Sequence, residues 1–155
     1  MSENVEIERG RTGRIFYARV HPNEDLVQGV EKICLREGVE RCFLRGSLGS
    51  LTDACVSLSN GNIRVLRGPA VEVVGLAGEV LPDEDGNPVA TLVGLLAAPN
   101  GTVAGGRFVA GQNPVCVTFE IVLEEWLAEP ADARLAPRDG VIAAHLEGDS
   151  DRLRA

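Results

Sequence analysis

Aromatic residues are scarce. Four Phe, one Tyr and one Trp make up 4% of 155 residues, which leaves few rings on which nucleic-acid bases could stack. Positive charge is also short: 15 Lys+Arg stand against 23 Asp+Glu, for a formal net charge of −8. Phosphate neutralisation supplies most non-specific affinity for nucleic acid, and anionic membranes attract basic surfaces, so this balance argues against a stand-alone binder of either. Histidine occurs only at His21 and His145, far apart and without ligand spacing. The four cysteines, Cys34, Cys42, Cys55 and Cys116, include no C-x-x-C pair. Each sits among apolar neighbours and reads as a small buried hydrophobe, a free thiol in a reducing cytoplasm. There is no long apolar run either. The nearly uncharged stretch after Asp85 is broken by Pro88, Pro99 and several glycines, too short a set of runs to cross a bilayer as a helix. The acidic start, Met1-Ser2-Glu3-Asn4-Val5-Glu6, has no apolar h-region and does not read as a signal peptide, so a cytoplasmic location is expected.

What is present suffices for a core. Hydrophobic residues are 45% and charged residues 25%, the proportions of one folded domain. Residues 14–20 are β-branched and aromatic, a strand broken by His21-Pro22-Asn23. Leu26, Val27, Val30, Ile33 and Cys34 then follow the spacing of one helix face. Asn23 is the expected cap, Glu24 and Asp25 suit the positive N-terminus, and Gly38 ends a helix of about four turns. Strands over 41–48 and 51–58 flank a turn at Gly49-Ser50, and Ser59-Asn60-Gly61-Asn62 is a hairpin turn. A strand near 70–81 leads into the acidic loop 83–88. Strands near 89–98 and 102–110 are joined by Pro99-Asn100-Gly101, a three-residue loop with Gly left-handed. In the last strand, 115–125, Val115, Val117, Phe119, Ile121 and Leu123 face one way, and Cys116, Thr118, Glu120, Val122 and Glu124 the other. After Trp126 the chain turns polar and acidic, a surface tail with at most a short helical turn.

The fold class is therefore α+β: a mainly antiparallel sheet with one or two flanking helices. Between Asp85 and Glu120 the only charged residue is Arg107. Burial on one side would leave alternating polar residues there. Both faces of these strands are expected to be covered, one by a helix and the other by a neighbouring subunit.

An ordered set of segments carries a family resemblance. Gly13-Arg14 opens a strand, and His21-Pro22-Asn23-Glu24-Asp25-Leu26 opens a helix. Arg45-Gly46-Ser47-Leu48-Gly49-Ser50-Leu51, then Val71-Glu72-Val73-Val74-Gly75-Leu76-Ala77-Gly78, then Gly101-Thr102-Val103-Ala104-Gly105-Gly106-Arg107 follow, and Thr118-Phe119-Glu120-Ile121-Val122-Leu123 closes the series. In order and spacing they resemble the PPC, or plants-and-prokaryotes-conserved, domain. The resemblance covers about residues 13 to 125. It implies an arm over 1–12, a PPC-like domain over 13–126 and a polar extension over 127–155. It also implies a homotrimer of antiparallel sheets. Plant relatives join the domain to AT-hooks and act on chromatin. Prokaryotic relatives mostly stand alone and often carry a DNA-binding label by inheritance. The family often has a His-x-His strand followed by Gly-Gly-His, an open three-His metal site. Here those places hold Thr91, Val93 and Arg107. The 99–101 loop pairs 98 with 102, so 93 falls opposite 107. The geometry is kept and the ligands are gone, so no metal and no cofactor are expected.

Other constellations weigh less. Arg9-Gly10-Arg11-Thr12 resembles an AT-hook core, but Thr12 stands where the core needs Pro, and Glu3, Glu6 and Glu8 dilute its charge. Arg45, Ser47 and Ser50 surround Gly46 and Gly49 in what reads as a turn, without the Lys of a phosphate loop. Glu72 and Glu120 in apolar strands offer acid–base chemistry only if their environments split their pKa values, and an arginine or backbone partner is the simpler role. No Ser, Thr or Cys has an adjacent His, so a hydrolase triad has no support. The expected function is binding of a small anionic ligand or a protein partner at a subunit boundary around Arg107, Thr91 and Glu120, with Glu72 and Arg45 alongside. Arg107, a lone guanidinium, is expected to meet an anion: Glu72, Glu120 or a ligand. The alternatives are a DNA-associated regulator acting through a partner or the N-terminal arm, and a metal-independent enzyme using Glu72 or Glu120. The charge and the missing imidazoles predict weak, salt-dependent duplex binding in a gel shift and no stoichiometric zinc after dialysis against a mild chelator. Submicromolar binding at physiological salt, or one tightly held zinc per chain, would contradict them.

Overall fold

A computed structural model describes residues 7–129. Along them run β1 (Gly10–Val20), α1 (Leu26–Glu37), β2 (Cys42–Leu51), β3 (Ala54–Ser57), β4 (Ile63–Leu66), β5 (Val71–Pro82), β6 (Pro88–Ala97), β7 (Val103–Phe108) and β8 (Val115–Ala128). The strands form one eight-stranded sheet in the order β1-β8-β2-β5-β6-β7-β3-β4. The expected α+β class is observed, with a single helix among the described residues. The main compact unit is Thr12–Leu127. Of the other unit, the Glu129 N–H donates to the Arg9 carbonyl at 2.9 Å. Strand β1 begins at Gly10, so part of the AT-hook-like tetrapeptide is sheet. Strand β8 runs on past Trp126 to Ala128, and the rest of the polar tail expected there, with its short helical turn, lies outside the described residues. Among those described, no helix is long and apolar enough to cross a membrane.

Helix α1 lies on one face of the sheet, against β6. It buries Leu26, Val27, Gly29, Val30 and Cys34. Beneath it are Leu92 and Leu96 of β6, Val71 and Val80 of β5, and Phe119, Ile121 and Leu123 of β8. Glu31 ties helix to sheet by accepting the Ala90 N–H at 3.0 Å. The N-cap is Asp25, not Asn23. Its carboxylate accepts the Gln28 N–H at 3.0 Å and the Asn113 N–H at 2.7 Å, which satisfies a donor of the first turn. Asn23 instead takes a left-handed φ of 66°, which asparagine tolerates, and donates its N–H to Val115. At the other end Gly38 is left-handed (φ 63°). The Val39 N–H bonds Cys34 O and the Gly38 N–H bonds Leu35 O, the paired bonds of a Schellman cap.

The region 41–58 departs from expectation. Gly49-Ser50 is no turn, because β2 continues through it to Leu51, and after Thr52-Asp53 the chain enters β3, which pairs with β7 and β4 and not with β2. Gly49 is a packing glycine. A Cβ there would lie 2.6 Å from Thr118 O and 2.7 Å from the Phe119 ring, so only glycine lets β8 approach. Between Gly49/Phe119 and Leu51/Val115 two β2 steps span four on β8, a bulge in β8. This bulge breaks the alternation expected there and leaves Val117 exposed at 70% while Val115, Phe119, Ile121 and Leu123 stay buried. The other hairpins follow expectation, including Gly61 at φ 80° and Gly101 at φ 85°.

Three elements meet at Arg14. Its guanidinium grips Glu125 with two bonds, Nε to Oε2 at 2.9 Å and Nη2 to Oε1 at 2.8 Å, and its backbone N–H adds a third at 2.9 Å. Nη1 also donates to Glu37 O at 3.0 Å, so the same side chain supports the C-terminal end of α1. Arg14 holds the largely buried Glu125 carboxyl down at about 2. A carboxyl whose folded pKa lies below its unfolded value of about 4.3 adds stability at neutral pH that is lost as pH falls from that value toward the folded one. Urea titrations at pH 7 and pH 3 should therefore show a larger acid loss in the native chain than in Glu125→Gln. Equal acid losses would mean that the pair does not couple to folding.

Candidate functional site

Among the described residues, the sheet face away from α1 carries no second layer. Along β6, Leu92 and Leu96 point under the helix, and the residues between alternate outward: Val93 is 44% exposed and Leu95 46%. Neighbouring strands continue the surface. Ala77 and Arg107 lie opposite Val93, Gly75 and Gly105 opposite Leu95, and Val103 (57% exposed) opposite Ala97. Leu48 of β2, 69% exposed, lies opposite Glu120. These apolar side chains make a contiguous patch across β2, β5, β6 and β7, of the kind that soluble proteins seldom leave in water.

The five expected site residues sit on five strands, and the fold does not gather them. Glu120 on β8 is engaged within the chain: Arg19 Nη2 bonds its Oε1 at 2.7 Å. A hydrogen bond with Tyr17, and then Arg19, holds the Glu120 carboxyl below the usual carboxylate range. The same bond raises the Tyr17 phenol. Arg45, at the β2 irregularity between Leu44 and Gly46, bonds Glu124 through Nε at 2.9 Å and lies 5.1 Å from the centre of the Phe43 ring. Arg45, and Thr12 with its hydroxyl at 3.1 Å, draw the Glu124 carboxyl down. Glu72 on β5, opposite Ser50 and Ala97, is exposed. Thr91 on β6 is half-buried opposite Glu79.

Arg107 lies on β7 between Val93 of β6 and Ser57 of β3, the expected 93–107 register. Its side chain is exposed and, among the described residues, has no ion-pair partner. Neither Glu72 nor Glu120 of the same chain reaches it, so the internal pair is not formed. Glu120 is held two strands beyond β5 by Tyr17 and Arg19. The charged grip that sequence reasoning missed is Arg14–Glu125. Its signal was the alternation itself, which carries Glu125 onto the buried side of β8 after Leu123. Among the described residues no group of three or more His, Cys, Asp or Glu is placed to hold a metal ion.

The family profile of the Plants and Prokaryotes Conserved (PCC) domain, also abbreviated PPC, matches residues 7–127. The chain belongs to this family. A PPC protein of Pyrococcus horikoshii is similar in structure at TM-score 0.67 and 25% identity, over 83% of this chain and 92% of that one. A metal-containing protein of Archaeoglobus fulgidus shares the fold at TM-score 0.69 and 20% identity, over 81% and 88%. In sequence, the chain is 26% identical over 137 residues to the bifunctional protein GlmU of a Synechococcus strain. That match takes in 86% of this PPC chain and 21% of the much longer GlmU protein, so the chain spans about a fifth of its curated relative. In this PPC domain Arg107 is exposed and has no ion-pair partner among the described residues, so Arg107→Ala should change the unfolding free energy of the separate chain by no more than about 0.5 kcal/mol. A loss of several kcal/mol in urea denaturation at low protein concentration would reveal a structural partner.

Proposed function

We propose that this PPC domain works as a homotrimer whose subunits cover one another's outer sheet faces, and that it binds a small anionic ligand at the subunit boundary. The observation that carries this is a guanidinium, unpaired among the described residues, on an exposed apolar face. Leu48, Val93, Leu95 and Val103 favour association by removal of their surface from water. Once that face is covered, Arg107 loses water and needs an anion, because an uncompensated buried charge is costly. A carboxylate or phosphate fits its planar fork in two bonds. Glu120 and Glu124 already have partners in the chain, which leaves them poor competitors for it. Glu72 of a neighbour is the competing protein partner. The number three comes from the family resemblance. Thr91, on the strand next to Arg107, offers a hydroxyl to the same ligand, and Glu72, Glu120 and Arg45 of a neighbouring subunit would border the site.

An acidic protein partner would meet the same guanidinium. The alternative of direct DNA binding is disfavoured by the charge of −8. An enzyme using Glu120 as base is disfavoured by the lowered carboxyl, which holds its negative charge too well to accept a proton near neutrality. Cytoplasmic location is part of the proposal and rests on the sequence.

Light scattering coupled to size exclusion at micromolar protein should report about three chain masses, and Leu95→Asp should lower that to one. A native monomer removes the interface and the boundary site together. Within the trimer, a thermal-shift screen of small carboxylates and phosphates should find stabilisers whose effect Arg107→Ala abolishes without dissolving the assembly. If Arg107→Ala and Glu72→Gln weaken the assembly equally and no anion stabilises it, Arg107 is an intersubunit ion pair and the ligand site is lost.

A further inference from the structure

Cys34 and Cys42 are separated by eight positions in sequence, yet their Sγ atoms lie 3.6 Å apart, both buried. The backbone enforces this. The Schellman cap at Gly38 accepts at the Cys34 carbonyl and turns the chain back toward the sheet within a few residues. Cys42 then opens β2, paired on one side with Val80 of β5 and on the other with Glu125 of β8. A disulfide needs the sulfurs closer by about 1.5 Å, a rotamer change and a small shift rather than a rearrangement. Cys55 and Cys116 have no comparable neighbour among the described residues.

We propose that Cys34 and Cys42 are a disulfide-forming dithiol, oxidised by hydroperoxides. The two thiols share one hydrogen bond. It favours the thiolate at Cys42, with a further hydrogen bond from the Val80 backbone, and disfavours it at Cys34. Opening of the last turn of α1 admits the oxidant, at lower cost than global unfolding. The Cys42 thiolate attacks the distal oxygen of the hydroperoxide, the O–O bond breaks, and the leaving oxygen takes up the Cys42 proton as alcohol or water. Cys42 is then a sulfenic acid. The Cys34 sulfur attacks it, the S–O bond breaks, and water leaves with the Cys34 proton. Two thiols lose two electrons and two protons, and one hydroperoxide is reduced. The product ties the end of α1 to β2 on the face opposite Arg107, and a dithiol reductant reverses it.

The test uses the full chain and hydrogen peroxide. Trypsin cuts after Lys32, Arg36, Arg41 and Arg45, which releases the two cysteines on separate peptides, Ile33–Arg36 and Cys42–Arg45. After native oxidation and alkylation, mass spectrometry should find these two peptides joined. The thiol titre should fall from four per chain to two and recover on reduction. Cys116→Ser should keep the joined peptides, and Cys42→Ser should lose them. The Cys116→Ser and wild-type maps decide the matter even if Cys42→Ser does not fold. Oxidation that leaves Cys34 and Cys42 separately alkylated, or that joins either one to Cys55 or Cys116, would overturn the proposal.

Discussion

Among the described residues one short helix lies on an eight-stranded sheet, and it lies on one side only. The twelve residues of α1 bury their apolar stripe over β6 and its neighbours, and the inward residues of β5, β6 and β8 complete that core. Everything else follows from this one-sided coverage. The strands under the helix alternate as half-buried strands must. Because β6 and β7 carry almost no charge, their outward positions are apolar too, and the uncovered face becomes a surface that water does not favour. Arg107 is conspicuous for the same reason: it stands in that face without an ion-pair partner among the described residues. The proposed assembly and ligand site both start from a face that the described residues leave open.

Much of the fold was legible from spacing. The helix showed itself through Leu26, Val27, Val30 and Cys34, and its end through Gly38, because those signals are local. The 99–101 loop was legible for the same reason, and with it the pairing of Val93 with Arg107. The failures came where a residue answers to a distant strand. Gly49 looks like a turn in a linear reading, since glycine marks turns, but here it makes room for Thr118 and Phe119, about seventy positions away. The bulge that exposes Val117 has the same origin. Asn23 was a plausible cap, but Asp25 can serve the helix and Asn113 together, a choice visible only once both are in place.

The candidate site was legible as a list and not as an arrangement. Glu72, Arg107 and Glu120 stand out as charges in apolar strands, and Thr91 through the place it takes in the family resemblance. Their partners depend on strand order, which the chain does not announce. β8 lies beside β1, so Glu120 meets Tyr17 and Arg19, and the carboxylate expected to serve Arg107 is taken elsewhere. The surviving feature is geometric. Positions that resemble the family's imidazoles stay adjacent although they hold other residues, so the scaffold can present a different chemistry at the same place.

The order β1-β8-β2 has a bearing on how the chain reaches this state. Among the described strands the last is inserted between the first two, and β1 stands at the edge with β8 as its neighbour. A chain emerging from the ribosome can form α1 and the β5–β6–β7 meander from nearby residues, but β1 must wait for nearly a hundred more before its partner arrives. Closing so long a loop makes this the slow step of assembly. Until then Ile15 and Tyr17 sit on an unpaired strand beside an open sheet edge, where another copy's β8 would fit as well as its own. The same topology that places Glu125 against Arg14 therefore sets the interval during which the nascent protein is most open to strand exchange with its neighbours.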